Sequence, residues 1–434
     1  MTVRILLVTA GVAVAALRVA DPVTAQQLAS ISVPPPAVLK PLPAFIAVSA
    51  GYMHTCALAA DSTAWCWGEN TEGQLGVATE TACKVDGGKV ACSLRPVAAA
   101  GGARWRLLSA GGFHTCGFDA TGRLLCWGME EQGQLGAPTS TTCPLLEGMA
   151  PIPCSLQPLP VHSEEVFIAV SAGLRHTCAL TATGAAYCWG DNRTGALGHQ
   201  AGGTMCPDFA GSKVACDFEP APVQGDHRFA AIAAGGHFTV ALDSSGHAWQ
   251  WGGNPDLGPG SALPVLVSDS FRFVSISAGQ RAACGLTAEG QAFCWGIMPV
   301  AGGVSSTEIV EGNGQPVAVG AWGIRYRKEE ANTRWRYTMS AVGHEHHCGI
   351  LVGGVVACWG ANDRGQLGQG KKGPSTGLPV EVPDTKGAIA VTAGNRHSCA
   401  LMPGGRIICW GYGIAGQLGN GKTKDSDSPR VVGE

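Results

Sequence analysis

Eighteen cysteines in a chain of 434 residues are the residues best placed to do chemistry. Twelve of them form pairs ten positions apart: Cys56 with Cys66, Cys116 with Cys126, Cys178 with Cys188, Cys284 with Cys294, Cys348 with Cys358, and Cys399 with Cys409. The other six lie as Cys83 with Cys92, Cys143 with Cys154, and Cys206 with Cys216. Two chemistries compete for such a set. Zinc favours cysteines two to four residues apart and gathered in fours, and the chain contains no CxxC. A disulfide needs only two residues opposite each other on antiparallel strands, where Cα atoms stand about 4.5 to 5.5 Å apart. Val240 and Gln250 occupy the places of a seventh ten-residue pair. Both cysteines are missing there together, as pairing requires. Nine disulfides imply an oxidising compartment, and each short loop they close contributes about 2 to 3 kcal/mol.

Histidine offers a second candidate chemistry. His54, His114, His176, His346 and His397 share one position two residues before a cysteine, a pattern that could ring a metal. Phe238 and Ala282 stand at the same position elsewhere, which favours a structural imidazole bonded to nearby backbone. The run GHEHHCG from Gly343 to Gly349 lacks HExxH spacing. Trp67, Trp127, Trp189, Trp251, Trp295, Trp359 and Trp410 recur one residue after the second cysteine or its replacement. A residue present in every unit points to packing rather than to a stacking surface for sugars or bases. The chain shows no GxSxG, P-loop or paired catalytic carboxylates, so no catalytic, cofactor-binding or metal-binding residue is assigned and the reading is non-enzymatic.

These residues sit in an internal repeat. Ser49 to Gly76, SAGYMHTCALAADSTAWCWGENTEGQLG, returns as SAGGFHTCGFDATGRLLCWGMEEQGQLG and SAGLRHTCALTATGAAYCWGDNRTGALG. Marker glycines at Gly51, Gly111, Gly173, Gly235, Gly279, Gly343 and Gly394 define seven units. An aromatic stands six residues before the marker at Phe45, Trp105, Phe167, Phe229, Phe273 and Tyr337, with Ala388 as the exception. Each unit then reads as strands: an alternating inner run, a hairpin from HTCAL to AWCWG, a turn rich in Asn and Gly, and a closing Pro-Val strand. Four short strands repeated seven times with no helical spacer predict an all-β, seven-bladed β-propeller with four-stranded blades. The segment Ser428 to Glu434 looks like the closing strand of the seventh blade, with Ala37 to Lys40 as the competing supplier.

The pattern GxxHTCALxxxGxxxCWGxNxxGQLG, as it stands from Gly173 to Gly198 with Ala196 for Gln, resembles the repeat of the regulator of chromosome condensation family. That resemblance covers residues 45 to 434 and implies the family's seven-bladed propeller. The fourth unit departs from it with the turn WGGNPDLG, and the fifth has no GQLG. The family includes a secreted bacterial β-lactamase inhibitor as well as nuclear regulators, and its founding activity is nucleotide exchange on a small GTPase.

The first 25 residues have the grammar of a secretory signal: Arg4, an uncharged run from Ile5 to Leu17, and small residues at Val23 and Ala25. Thirteen residues fall short of the roughly 20 that span a bilayer, so no stable membrane insertion is expected after processing. Residues 26 to 44 read as a Pro-rich linker. Charged residues are 14% of the chain and its net charge is -3, which gives no basic field for nucleic acid.

The expected function is therefore an exported, non-catalytic binding scaffold, monomeric, secreted or periplasmic, that recognises a protein or surface glycan through loops on one propeller face. The alternatives are an exchange-factor-like regulator of a small GTPase and an enzyme with its site at the axial channel. Two unique features are candidates for binding. Insertions at Val77 to Arg95, Ala137 to Gln157 and His199 to Glu219 occupy the same point of the repeat and should emerge side by side. Arg325, Tyr326, Arg327, Arg334, Trp335 and Arg336 combine the basic and aromatic types enriched at hot spots.

Overall fold

The computed structural model describes residues 41–85, 88–99, 102–143, 150–200, 203–208, 211–253, 260–296, 317–318 and 335–434. The proposed signal, nearly all of the linker, and Arg325, Tyr326, Arg327 and Arg334 lie outside them. Strands pair into seven antiparallel sheets, one per repeat, in a propeller. No α-helix occurs among the described residues. In the first blade the inner strand Phe45–Ala50 pairs with His54–Ala59, which pairs with Ala64–Glu69, which pairs with Gly88–Ala98.

The first three blades add a fifth strand to the expected four. Their insertions fold back on the outer strand as hairpins: Thr81–Val85 on Gly88–Ala98, Thr142–Cys143 on Ile152–Pro160, and Met205–Pro207 on Lys213–Pro222. The remaining four blades have four strands. The seventh is built entirely from its own repeat, with Ser426–Val431 as its outer strand. Among the described residues no strand from the chain start joins it, and Ala37 to Lys40 lie outside them.

Outer strands carry a bulge at their proline. Cys66 faces Val97 while Gly68 faces Ser93, so residues 94 to 96 oppose Trp67 alone. Ser93 Oγ donates to the Arg95 carbonyl at 2.7 Å, and Ser155, Ser261, Thr376 and Ser426 repeat the bond two residues on. Pro96 thus sits where a ladder donor is not required.

The aromatic before each marker fills one niche. Phe45, Trp105, Phe167, Phe229, Phe273 and Tyr337 are buried and each packs on its own blade's tryptophan, with ring centroids 5.1 to 6.5 Å apart. The apolar core is divided between the blades, in clusters such as Cys178, Leu180, Cys188 and Leu197 with Phe229, Ala241 and Trp251 of the next blade. Cysteine sulfurs belong to this core. All nine pairs are disulfides, with Cα separations of 4.0 to 4.1 Å in the six blade hairpins and 5.7 to 5.9 Å in the three insertions.

Candidate partner-binding face at the axial mouth

The repeated motif residues are consumed in joining one blade to the next. In the GQLG turn the Gln74 carbonyl accepts two bonds from the second blade, from Trp127 Nε1 at 3.0 Å and Thr115 Oγ1 at 2.9 Å. The carbonyls of Gln134, Ala196, Gln366 and Gln417 do the same for the following blades. The Gln74 side chain meanwhile accepts from the Glu72 amide and shapes its own turn. Gly76 ends that turn at φ 69°, and a Cβ there would lie 2.9 Å from Trp127 Nε1.

The shared histidines bond to side chains, not to backbone as the sequence suggested. His54 Nε2 lies 2.9 Å from Thr115 Oγ1 in the next blade, and His114, His176, His346 and His397 reach Thr177, Thr239, Ser398 and Thr55. Each hydroxyl spends its one proton on the turn carbonyl, so the imidazole is the donor, protonated at Nε2. Burial pushes His54, His114, His176 and His397 down to about 3, which keeps them neutral. Where Phe238 replaces the donor, Ala283 replaces the acceptor in the next blade. Where Ala282 replaces it, His347 fills the space, stacked on Trp359 with Nδ1 3.4 Å from Cys284 Sγ.

The marker glycines close the ring at the axis. The residue after each marker donates its amide to the next blade: Tyr52 to Gly111, Gly112 to Gly173, Leu174 to Gly235, Gly236 to Gly279, Gln280 to Gly343, His344 to Gly394, and Asn395 to Tyr52. The approach is close. A Cβ on Gly173 would stand 2.7 Å from the Gly235 oxygen and 2.6 Å from His176 Cε1.

The repeat does not fix the residue types of the pair between marker and histidine. The pairs are Tyr52 and Met53, Gly112 and Phe113, Leu174 and Arg175, Gly236 and His237, Gln280 and Arg281, His344 and Glu345, Asn395 and Arg396. Seven turns carry them around the axial mouth, where a cavity of about 80 Å³ opens. Six of the turns are clamped from behind by the third strand, as by Glu69 N to Met53 O at 2.9 Å. Tyr52 packs on Phe113 and His344, with centroids 5.6 and 6.4 Å away, and the Arg175 guanidinium lies over Phe113 at 5.4 Å. Glu345 is flanked by Arg281 at 3.7 Å and Arg396 at 3.8 Å, and Arg396 reaches Asp363 at 3.1 Å.

The insertions belong to this end of the propeller. Cys92, Cys154 and Cys216 pair with Glu69, Met129 and Asp191, the last residues of the third strands, and the hairpins run on beyond them. They also brace the preceding blade: Cys83, Val90 and Cys92 bury Ala415 of the seventh, and Gln132 Nε2 donates to the Pro207 carbonyl of the third. Trp335 and Arg336 lie elsewhere. They precede the inner strand Tyr337–Val342 and so stand at the opposite end, Trp335 half-buried against the Tyr337 cluster and Arg336 beside Val352 and Glu381. Trp335 and Arg336, the described part of that candidate, therefore do not share a surface with the insertions. The turn residues that do were legible as the variable pair inside an otherwise repeated frame, and their position at the axis was not.

Residues 95–433 match the RCC1-like domain, and residues 45–74 match the RCC1 repeat. The chain belongs to the RCC1-like family. Among its relatives, the ultraviolet-B receptor UVR8 of Arabidopsis thaliana is 24% identical over 391 residues, covering 89% of this chain and 81% of the receptor. A secretion-regulating guanine nucleotide exchange factor of Bos taurus is 24% identical, over 89% of this chain and 70% of that protein. Human WBSCR16 superposes with a TM-score of 0.66 at 17% identity, covering 86% of this chain and 94% of that one. Yeast Prp20p, from Saccharomyces cerevisiae, gives 0.65 at 18% identity, over 88% of each chain. These likenesses establish the RCC1-like propeller fold.

Proposed function

We propose that this RCC1-like propeller is an exported binding scaffold without catalytic activity, which recognises a protein through the face around the axial mouth. One observation carries the reading. The repeated histidine, hydroxyl and tryptophan side chains join blades at most of the seams, while the seven turns at the mouth differ in sequence and bring Tyr52, Phe113, Arg175, His237, Arg281 and Arg396 to one surface. Aromatic and arginine side chains on a rigid frame are the composition of binding hot spots, and a frame fixed by disulfides loses little entropy on association. Nine disulfides support an oxidising location, and among the described residues no helix is long and apolar enough to cross a membrane.

A second reading is exchange-factor activity, favoured by the bovine relative's name and its coverage of this chain. Disulfide-closed blades weigh against it, because cytosolic thiols are kept reduced. Capture from the extracellular fraction with the mature chain as bait separates the readings. A specific protein lost on Tyr52→Ala with Phe113→Ala supports the scaffold. Accelerated nucleotide release from a small GTPase supports the exchange factor.

A further inference from the structure

The mouth end of the sixth and seventh blades carries a more specific inference, which rests on the reading of that end as a binding surface. The turns after the third strands Val356–Asn362 and Arg406–Gly411 stand where the first three blades have their insertions. They hold two lysine-bearing loops instead, Lys371 with Lys372 and Lys422 with Lys424. The loops are tied to each other. Gly370 donates its amide to the Asp427 carbonyl at 2.7 Å, and Lys372 Nζ lies 2.7 Å from Asp425 Oδ2.

Charges run from the axial mouth out to these loops in one alternating series. Arg281 stands 3.7 Å from Glu345, and Glu345 stands 3.8 Å from Arg396. Arg396 reaches Asp363 at 3.1 Å, Asp363 lies 3.6 Å from Arg364, and Arg364 lies 3.7 Å from Asp425, the partner of Lys372. Each carboxylate is thus held between two cations, and the series begins and ends on a cation. Past its outer end the cations continue without carboxylates. Lys371, Lys422 and Lys424 are exposed, and among the described residues they take part in no ion pair. Asp427, the one further carboxylate of these turns, accepts from Ser428 Oγ.

The excess of positive charge is local. The mouth-end turns of the two blades hold the six cations Arg364, Lys371, Lys372, Arg396, Lys422 and Lys424 against the four anions Glu345, Asp363, Asp425 and Asp427, in a chain whose net charge is -3. We propose that this sector docks a short acidic segment of the protein partner, whose carboxylates continue the alternation on Lys371, Lys422 and Lys424. Single exposed ion pairs contribute little, and several in one network contribute more. Charges at a rim chiefly set the rate of association and its salt dependence. A long polyanion is disfavoured, because the excess is confined to neighbouring turns of a molecule that is negative as a whole.

The test uses a hexaglutamate peptide as probe and hexaglutamine as control, followed through the Gly370, Gly373 and Gly421 backbone amides by NMR of the full chain. Saturable shifts confined to these turns are expected with hexaglutamate only, and raising salt from about 50 to about 300 mM should weaken binding at least fivefold. Lys371→Glu with Lys424→Glu should also weaken it at least fivefold. Lys84→Glu with Lys89→Glu, the same change of charge placed on the first blade's hairpin, should alter it less than twofold. Equal losses in the two variants, or equal binding of hexaglutamine, would overturn the proposal. Tighter binding of a sulfated oligosaccharide of equal charge at the same amides would overturn it too, since the occupant is then not an acidic protein segment. A partner lost on Tyr52→Ala with Phe113→Ala yet captured equally well by Lys371→Glu with Lys424→Glu would defeat it while leaving the binding face intact.

Discussion

His397 in the last blade lies with its Nε2 2.9 Å from Oγ1 of Thr55 in the first, across 342 residues of sequence. Thr55 passes the chain of bonds on to the Gln417 carbonyl, which also takes the Trp67 indole proton at 2.9 Å. The ring is thus closed by the relay that joins four of its six interior seams, and among the described residues no strand is exchanged between the chain ends. Thr55→Ala or His397→Phe alone should cost about 1 to 3 kcal/mol, since each leaves a buried polar group unpaired. The double variant reproduces the natural Phe238 and Ala283 combination and should cost less than the sum. Denaturant unfolding of the full cycle measures this, and additive costs would show that the pair is not coupled.

Acid should destabilise the propeller over a defined window. Burial holds His54, His114, His176, His347 and His397 at about 3 and keeps His346 well below its usual value. The unfolded chain takes up these protons from about pH 6.5 downward. The stability these groups contribute is complete above pH 6.5 and lost as pH falls toward 3, on the order of 1.4 kcal/mol per pH unit for each histidine.

Carboxyls work in the opposite direction. Burial lifts Glu130 to about 9, and Glu69 and Glu72 also move up, so stability falls as pH rises from about 4.5 toward 9. Six imidazoles outnumber three carboxyls, and the melting temperature should peak near pH 6 to 7. Glu130 occupies the place of Asn70, Asn192 and Asn362, and its Oε1 has no partner. In those blades the amide accepts from a leucine amide and donates to a carbonyl. Glu130→Gln should therefore raise the melting temperature at pH 8.5 and change it little at pH 5. An equal effect at both values would remove Glu130 from the account.

Local opening should concentrate in the fourth blade and the seams after it. The hairpin Phe238–Asp243 with Ala248–Gly252 has Val240 opposite Gln250 in place of a disulfide. Among the described residues the relay is absent at the next two seams: Trp295 Nε1 donates to the Gln250 side chain, and Trp359 Nε1 has no partner. Amide exchange should be faster in residues 238 to 252 than in 176 to 190, by about the 2 to 3 kcal/mol of a short disulfide loop. Equal protection would mean that packing between blades outweighs the cross-link.

Peptide mapping without reduction should recover the nine pairs, six within blade hairpins and three within insertions. A linkage between different blades would contradict the register of Cys56 on Cys66 and its equivalents.

The repeat made the fold legible, because each blade satisfies its local pattern with nearest neighbours. Phe45 and Trp67 could be read as packing residues, and the loss of both cysteines in the fourth unit as a missing pair. The reasons behind Gly51, His54 and Gln74 were hidden, since each answers to an atom of another blade some 40 to 60 residues away. The hairpins were read as loops because Thr81 to Val85 is short and exposed and gains strand character only against Gly88–Ala98. The proposed binding face was missed for the same reason. Tyr52 and Gln280 are far apart in sequence and meet only when the ring closes.

The most direct measurement compares the two ends of the propeller for partner capture. Tyr52→Ala with Phe113→Ala alters the mouth, and Ile46→Ser with Ile168→Ser alters exposed residues at the start of the inner strands, at the opposite end. The account predicts that a protein captured from the extracellular fraction by the unaltered chain is recovered at least tenfold less with the mouth variant and undiminished with the other. Capture lost only with the Ile46 and Ile168 variant would contradict it.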